Sequence, residues 1–184
     1  MSDVEEKNTN RTNIHIAAWT NNIECVKNHL DDGVNINIDY RNNVDGKGSA
    51  TTPLHFAATH GAIKVMNLLI LRKAEINLSD INGNSPLHFC AMAMDTQVAA
   101  ARTLLNAKAD VNQVNNGKSS ALMLAADEGF AEMIRLLVEY QADVNLQNKN
   151  GFTAADILID AHANAFEEEI ELLQKARKLQ DAEM

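Results

Sequence analysis

Histidines and cysteines are the side chains in this sequence best suited to moving a proton, attacking a substrate or holding a metal. The histidines are His15, His29, His55, His60, His88 and His162, and the cysteines are Cys25 and Cys90. Cys25 and His29 stand at i, i+4, a spacing that puts two metal ligands on one helix face. A single pair lacks the third and fourth ligands that zinc takes. Cys90 replaces an alanine in an apolar phrase, Phe89-Cys90-Ala91, where burial makes a thiol inert. P-loop, dinucleotide-binding, nucleophile-elbow and zinc-protease signatures are all missing. No residue is assigned to catalysis, to a cofactor or to a metal; the expectation is a non-enzyme, with a metal-dependent enzyme as the remote alternative.

Three of the histidines recur at one place in a repeated phrase, and that phrase reveals the elements that position them. Thr52-Pro53-Leu54-His55-Phe56-Ala57-Ala58 returns as Ser85-Pro86-Leu87-His88-Phe89-Cys90-Ala91. Weaker copies are Thr12-Asn13-Ile14-His15-Ile16-Ala17-Ala18 and Ser120-Ala121-Leu122-Met123-Leu124-Ala125-Ala126. A second phrase comes after each: Val34-Asn35-Ile36-Asn37, Ala74-Glu75-Ile76-Asn77, Ala109-Asp110-Val111-Asn112 and Ala142-Asp143-Val144-Asn145. The opening Thr or Ser lies at 12, 52, 85, 120 and 153, so the spacings are 40, 33, 35 and 33. The underlying period is 33, with seven extra residues in the turn from Ile38 to Thr51 and two more around Met94-Asp95-Thr96-Gln97.

Each unit reads as two helices. Thr52 or Ser85 suits an N-cap, and Pro53 or Pro86 suits the first helical position, where no amide is needed. Leu54, Ala57 and Ala58 form an apolar stripe whose alanines let a neighbouring helix approach closely, and Gly61 ends that helix. Ile63, Val65, Met66, Leu68, Leu69 and Ile70 make a second helix too apolar to face water. One unit cannot bury both faces, so the units must stack. Asn28 and His29 make the corresponding helix of the first repeat polar, as suits an end cap. In the fifth repeat Glu167-Glu168-Glu169 precede Lys175, Arg177 and Lys178, an order that complements the helix dipole of a solvated C-terminal cap.

The two phrases in fixed order resemble the ankyrin repeat family, whose signature is T-P-L-H-x-A. The resemblance covers roughly residues 12–178, leaving 1–11 as a flexible N-terminal segment and 179–184 as a C-terminal tail. It implies an all-α solenoid of about five stacked helix-turn-helix units with β-hairpin-like turns between them. His15, His55 and His88 then hydrogen-bond the turn around the opening Thr. Lys73, Lys108 and Gln141 fall where the family usually has a left-handed glycine, as at Gly33. Partners are usually gripped by the turns and by the ends of the first helices. On this chain those positions are Trp19, Thr20, Thr59, His60, Met92, Ala93, Asp127 and Glu128 on the helices. The turns add Ile81, Asn82, Asn84, Asn116, Ser119, Lys149, Asn150 and Phe152, and the longest turn adds Tyr40 and Arg41. Asn77, Asn112 and Asn145, each eight residues after a leucine, resemble a pattern that asparagine hydroxylases modify in ankyrin repeats; the alternative is that their amides satisfy the turn backbone.

Composition narrows the remaining choices. With 46% hydrophobic and 22% charged residues in 184, the chain is ordinary globular material for one domain. Aromatics at 4% leave an aliphatic core and disfavour a sandwich or barrel. A formal net charge of −9 opposes binding to a phosphate backbone. The acidic N-terminus is unlike a secretory signal. The best apolar run, Ala121 to Ala126, is six residues, far below a membrane span. Two cysteines suit a reducing compartment and lie too far apart in the array to pair. The expectation is a monomer in the cytoplasm or nucleus that binds another protein or peptide, with no nucleic acid and no membrane: a scaffold, adaptor or inhibitor. The alternative is a bacterial effector, immunity or enzyme-regulatory protein.

Overall fold

The computed structural model describes residues 13–40, 49–93 and 97–182. The expected N-terminal segment 1–11, the opening Thr12, Arg41 in the long turn, and Met94, Asp95 and Thr96 lie outside the described residues.

Among the described residues five helices form an inner row: α1 Ile14–Trp19, α3 Pro53–Thr59, α5 Pro86–Met92, α7 Ala121–Glu128 and α9 Ala154–His162. Five form an outer row: α2 Ile23–Asp31, α4 Ile63–Leu71, α6 Val98–Asn106, α8 Ala131–Glu139 and α10 Glu167–Ala182. A 3-10 turn, Ala163–Phe166, links the last two. Each inner helix packs against the next inner helix and each outer helix against the next outer one. The fold is therefore the all-helical solenoid that the period requires. Helix α10 runs continuously through position 178 to Ala182, so the chain stays helical where a tail was expected.

Local chemistry starts the helices where the repeated phrase places them. Thr52 and Ser85 are extended residues directly before Pro53 and Pro86, which open α3 and α5. In the fourth repeat the Ser120 hydroxyl accepts the Met123 amide at 3.4 Å. The first repeat is capped by Asn13, whose Oδ1 accepts the His15 amide at 3.0 Å, so α1 begins at Ile14. Between α5 and α6 lie residues 93–97, where only 60–62 separate α3 from α4, which puts the two extra residues of the third repeat in that connection.

The inner row is built on small residues. Ala17 and Ala18, Ala57 and Ala58, Cys90 and Ala91, and Ala125 and Ala126 are all fully buried. The fifth repeat has Leu158 and Ile159 at these places; Leu158 is buried and Ile159 is exposed, with no further inner helix against it among the described residues. In the outer row Val65, Met66 and Leu69 are buried in α4, whereas α2 buries only Val26. Such an array gains stability from each pair of neighbours rather than from one central core.

The outer helices end in backbone that favours glycine. Gly33 has φ +84°, while Lys73, Lys108 and Gln141 take φ +68°, +69° and +62°. An L side chain in this region costs roughly 1 kcal/mol. Asparagines four residues further on then stitch one repeat to its neighbour: Asn37, Asn77 and Asn112 accept the amides of Glu75, Asp110 and Asp143 at 3.0, 2.9 and 2.8 Å. At the corresponding place in the fourth repeat, Asn145 Nδ2 donates to Asp181 of α10 at 3.1 Å. Of the two roles open to Asn77 and Asn112, the structure displays the turn-satisfying one.

Candidate functional site

The histidines that invited a catalytic reading are occupied as latches. His55 Nδ1 accepts the Thr52 amide at 3.1 Å, and its Nε2 donates to the Asn84 carbonyl of the next turn at 3.1 Å. His88 repeats this with the Ser85 amide and the Ser119 carbonyl, each at 3.1 Å. An acceptor at Nδ1 and a donor at Nε2 define the neutral ring. Burial holds His55 down to about 4 and lowers His15 and His88 in the same direction. His15 Nε2 lies 2.9 Å from the Ile38 carbonyl and its Nδ1 lies 2.7 Å from Asn13 Oδ1. None of the three rings has a nitrogen left for a substrate. Burial raises the Cys90 thiol far above its ordinary range, and its Sγ lies 3.7 Å from the Ala58 carbonyl. Cys25 and Cys90 are not joined in a disulfide. Among the described residues no three His, Cys, Asp or Glu side chains converge as a metal site.

What the inner row offers instead is an exposed face. At the end of α1, Trp19 is 49% exposed, and its ring packs on His60 at the end of α3 with centroids 4.9 Å apart. One turn earlier on α3, Phe56 packs against Tyr40 at 5.1 Å, and both rings meet His15, at 5.4 and 5.2 Å. Phe56 and His60 stand at i, i+4, and the Phe56 carbonyl lies 3.2 Å from His60 Nδ1. Two aromatic contacts are thus joined along one face of α3. Tyr40 itself is fixed at the base of the long turn, donating its amide to the Thr51 carbonyl at 2.7 Å and accepting the Ser49 amide at 3.2 Å.

Further along, the same helix-end positions change character. Met92 is exposed on α5, but Asp127 and Glu128 end α7 and Asp160 lies near the end of α9. Between the last two repeats is a groove of about 220 Å³ whose lining includes Leu124, Asp127, Phe152, Ile157 and Asp160.

The turns that frame this face are internally braced. Asp80 Oδ1 accepts the amides of Asn82 and Asn84, Asn115 Oδ1 those of Gly117 and Ser119, and Asn148 Oδ1 those of Asn150 and Phe152. Neighbouring tips join through Asn116 to Asn82 and Lys149 to Gly117 backbone bonds of 2.9 and 3.0 Å.

Three overlapping matches to a family model described as ankyrin repeats (3 copies) cover residues 14–115, 54–148 and 92–178. The chain belongs to the ankyrin repeat family. Ankyrin repeats generally mediate protein–protein interaction, which agrees with an array whose repeated-phrase histidines, His15, His55 and His88, are spent on structure. Over 75 residues, 41% of this chain, it is 39% identical to E3 ubiquitin-protein ligase KEG of Arabidopsis thaliana, matching 4% of that protein. Over 63 residues, 34% of this chain, it is 38% identical to putative ankyrin repeat protein FPV223 of Fowlpox virus, matching 40% of that protein. The match thus spans well under two thirds of either relative. No described helix is long and apolar enough to cross a membrane.

The residues expected at an ankyrin binding face divide into three groups. Trp19, Thr20, His60 and Met92 are exposed along the helix ends, with Thr59 half-buried and its hydroxyl donating to the His55 carbonyl at 2.9 Å. Ile81, Asn82, Asn116, Lys149 and Phe152 are exposed at the turns, and Asp127 and Glu128 are exposed on α7. Asn84 is different: it is buried, and its Oδ1 accepts from Asn115 Nδ2 at 2.9 Å, so it braces the turn from within instead of facing a partner. The sequence pattern did not single out Phe56 or Asp160. Counting one period from Asp127 reaches Asp160, but the degenerate phrase Thr153-Ala154-Ala155-Asp156 obscures that register.

Proposed function

We propose that this ankyrin repeat chain is a noncatalytic binding protein, a scaffold, adaptor or inhibitor acting as a monomer in the cytoplasm or nucleus. It grips a protein or peptide across the ends of the inner helices and the turn tips. The contact centres on Trp19, Thr20, Tyr40, Thr59 and His60, with Met92, Ile81, Asn82, Asn116, Asp127, Glu128, Lys149 and Phe152 completing the face. The observation that carries this reading is the half-exposed Trp19 packed on His60 beside the Tyr40–Phe56 contact. Trp and Tyr supply large contact area at low entropic cost and dominate binding hot spots, and the array provides a rigid backing for them.

The test is a partner captured from the native cell and its affinity for variants measured by calorimetry. Trp19→Ala and Tyr40→Ala should each weaken binding by about 2 kcal/mol, roughly thirtyfold, while Glu171→Ala on the exposed side of α10 changes little. Urea unfolding is measured alongside. Trp19→Ala with a lowered unfolding midpoint and unchanged affinity would reduce Trp19 to a cover for the first repeat.

A further inference from the structure

The groove between the fourth and fifth repeats has a chemistry that the rest of the face lacks. Leu124 and Ile157 are half-buried and present apolar surface, and Phe152 stands exposed beside them. Asp127 and Asp160, both exposed, belong to the same lining. Among the described residues neither carboxylate has an ion pair or a side-chain hydrogen bond. His162 of α9 meets Asp127 through the main chain, its Nε2 lying 2.8 Å from the Asp127 carbonyl. Lys149, exposed at the turn tip, does not line the groove.

The charge is placed rather than spread. At the equivalent helix-end positions the first three repeats carry Trp19 and Thr20, Thr59 and His60, and Met92 and Ala93, without a carboxylate, whereas the last two carry Asp127, Glu128 and Asp160. A lining that combines Leu124, Phe152 and Ile157 with Asp127 and Asp160 complements a side chain that is apolar along its stem and cationic at its head. Arginine combines these features best, because its planar head stacks on aromatic faces and its fork donates to carboxylates.

We propose that this groove receives an arginine side chain of a protein partner, so that the partner carries an apolar anchor for the Trp19 end and a basic anchor for the Asp160 end. This rests on the reading that the face binds protein, and it deepens that reading by fixing the partner's chemistry at the second end. From α1 to α7 are three helix steps of about 8–10 Å, so the anchors stand roughly 25–30 Å apart. An extended segment of about eight residues spans that distance.

The test uses the full chain and four capped tripeptides, Gly-X-Gly, in which X is arginine, lysine, citrulline or norleucine, monitored by amide chemical shifts. The expected result is saturable shifts at Leu124, Phe152, Ile157 and Asp160 with the arginine peptide, weakened roughly fivefold by Asp160→Asn and by Asp127→Asn. Citrulline, which keeps the shape of arginine without its charge, should bind about fivefold more weakly or worse. Equal binding of citrulline or norleucine would overturn the proposal by showing a merely apolar groove. Shifts scattered over the acidic surface, or equally reduced by Glu171→Gln, would overturn it as general charge attraction. A dimer dissolved by Asp160→Asn would assign the groove to a second copy of the chain instead. Since the tripeptides do not reach Trp19, failure here leaves the hot-spot measurement intact, and failure of Trp19→Ala to weaken partner binding leaves the groove intact.

Discussion

Buried imidazoles join the second repeat to the third and the third to the fourth, whereas the ring that crosses from the fifth repeat to the fourth is the half-buried His162, its Nε2 lying 2.8 Å from the Asp127 carbonyl. His55 and His88 each hold their own opening turn and donate to the carbonyl just before the next opening residue. Met123 takes that position in the fourth repeat and is simply buried. In the fifth, Asp156 keeps half of the role, its Oδ2 accepting the Thr153 amide and hydroxyl at 2.9 and 2.7 Å. The outer row ties this junction as well: Arg135 of α8 pairs with Glu168 at 2.9 Å and with the buried Glu169 of α10. Gln180 accepts the Val144 amide at 3.1 Å and donates to the Ala142 carbonyl at 2.9 Å. A ring whose Nδ1 accepts an amide and whose Nε2 donates to the next turn serves both sides of a junction only while it stays neutral, so the repeats that carry His55 and His88 are tied to pH through them.

Acid should therefore separate the two regions most strongly. The folded chain holds His55 neutral down to about pH 4, while an unfolded histidine takes its proton near 6.5. Between those values the unfolded chain binds more protons, so stability falls as pH falls through the window, by roughly 3 kcal/mol for His55 alone. Hydrogen exchange at pH 7 and at about pH 4.5, inside that window, should show protection lost first in repeats one to three; equal loss in all five would mean that the array opens as one unit.

Exchanging the chemistry of the junctions gives the next largest effect. His88→Met leaves the Ser85 amide and the Ser119 carbonyl without their ring partner and should destabilise by about 2 kcal/mol in urea unfolding. Met123→His should change stability by less than about 1 kcal/mol, because α10 already secures that junction. A comparable loss from both variants would erase the distinction between the regions.

Gln180→Ala tests the C-terminal fastening directly. It removes two hydrogen bonds at a partly buried site and should destabilise by about 1 kcal/mol, with increased exchange confined to repeats four and five. Exchange spreading into repeats one to three would show that the fastening supports the whole array.

The smallest effect concerns a feature shared by both regions. Lys73→Gly, Lys108→Gly and Gln141→Gly relieve left-handed strain but add freedom to the unfolded chain, so each should stabilise by roughly 0.5 kcal/mol. Three destabilised variants in urea unfolding would show that the lysine and glutamine side chains contribute more than their backbone strain removes.

Period and phrase were enough to fix the helices, their order and the stacking, because Thr-Pro caps, paired alanines and apolar outer helices each have one local solution and neighbours repeat it. The resemblance to ankyrin repeats marked Lys73, Lys108 and Gln141 as standing where a left-handed glycine is usual, and all three have positive φ. The site was less legible. That Asn84 is buried, that Tyr40 lies on Phe56, and that Leu124, Phe152, Ile157 and Asp160 share a groove depend on how adjacent repeats meet. Spacing within one repeat fixes which residue ends a helix. Only the packing of one repeat on the next decides which side chains remain exposed together.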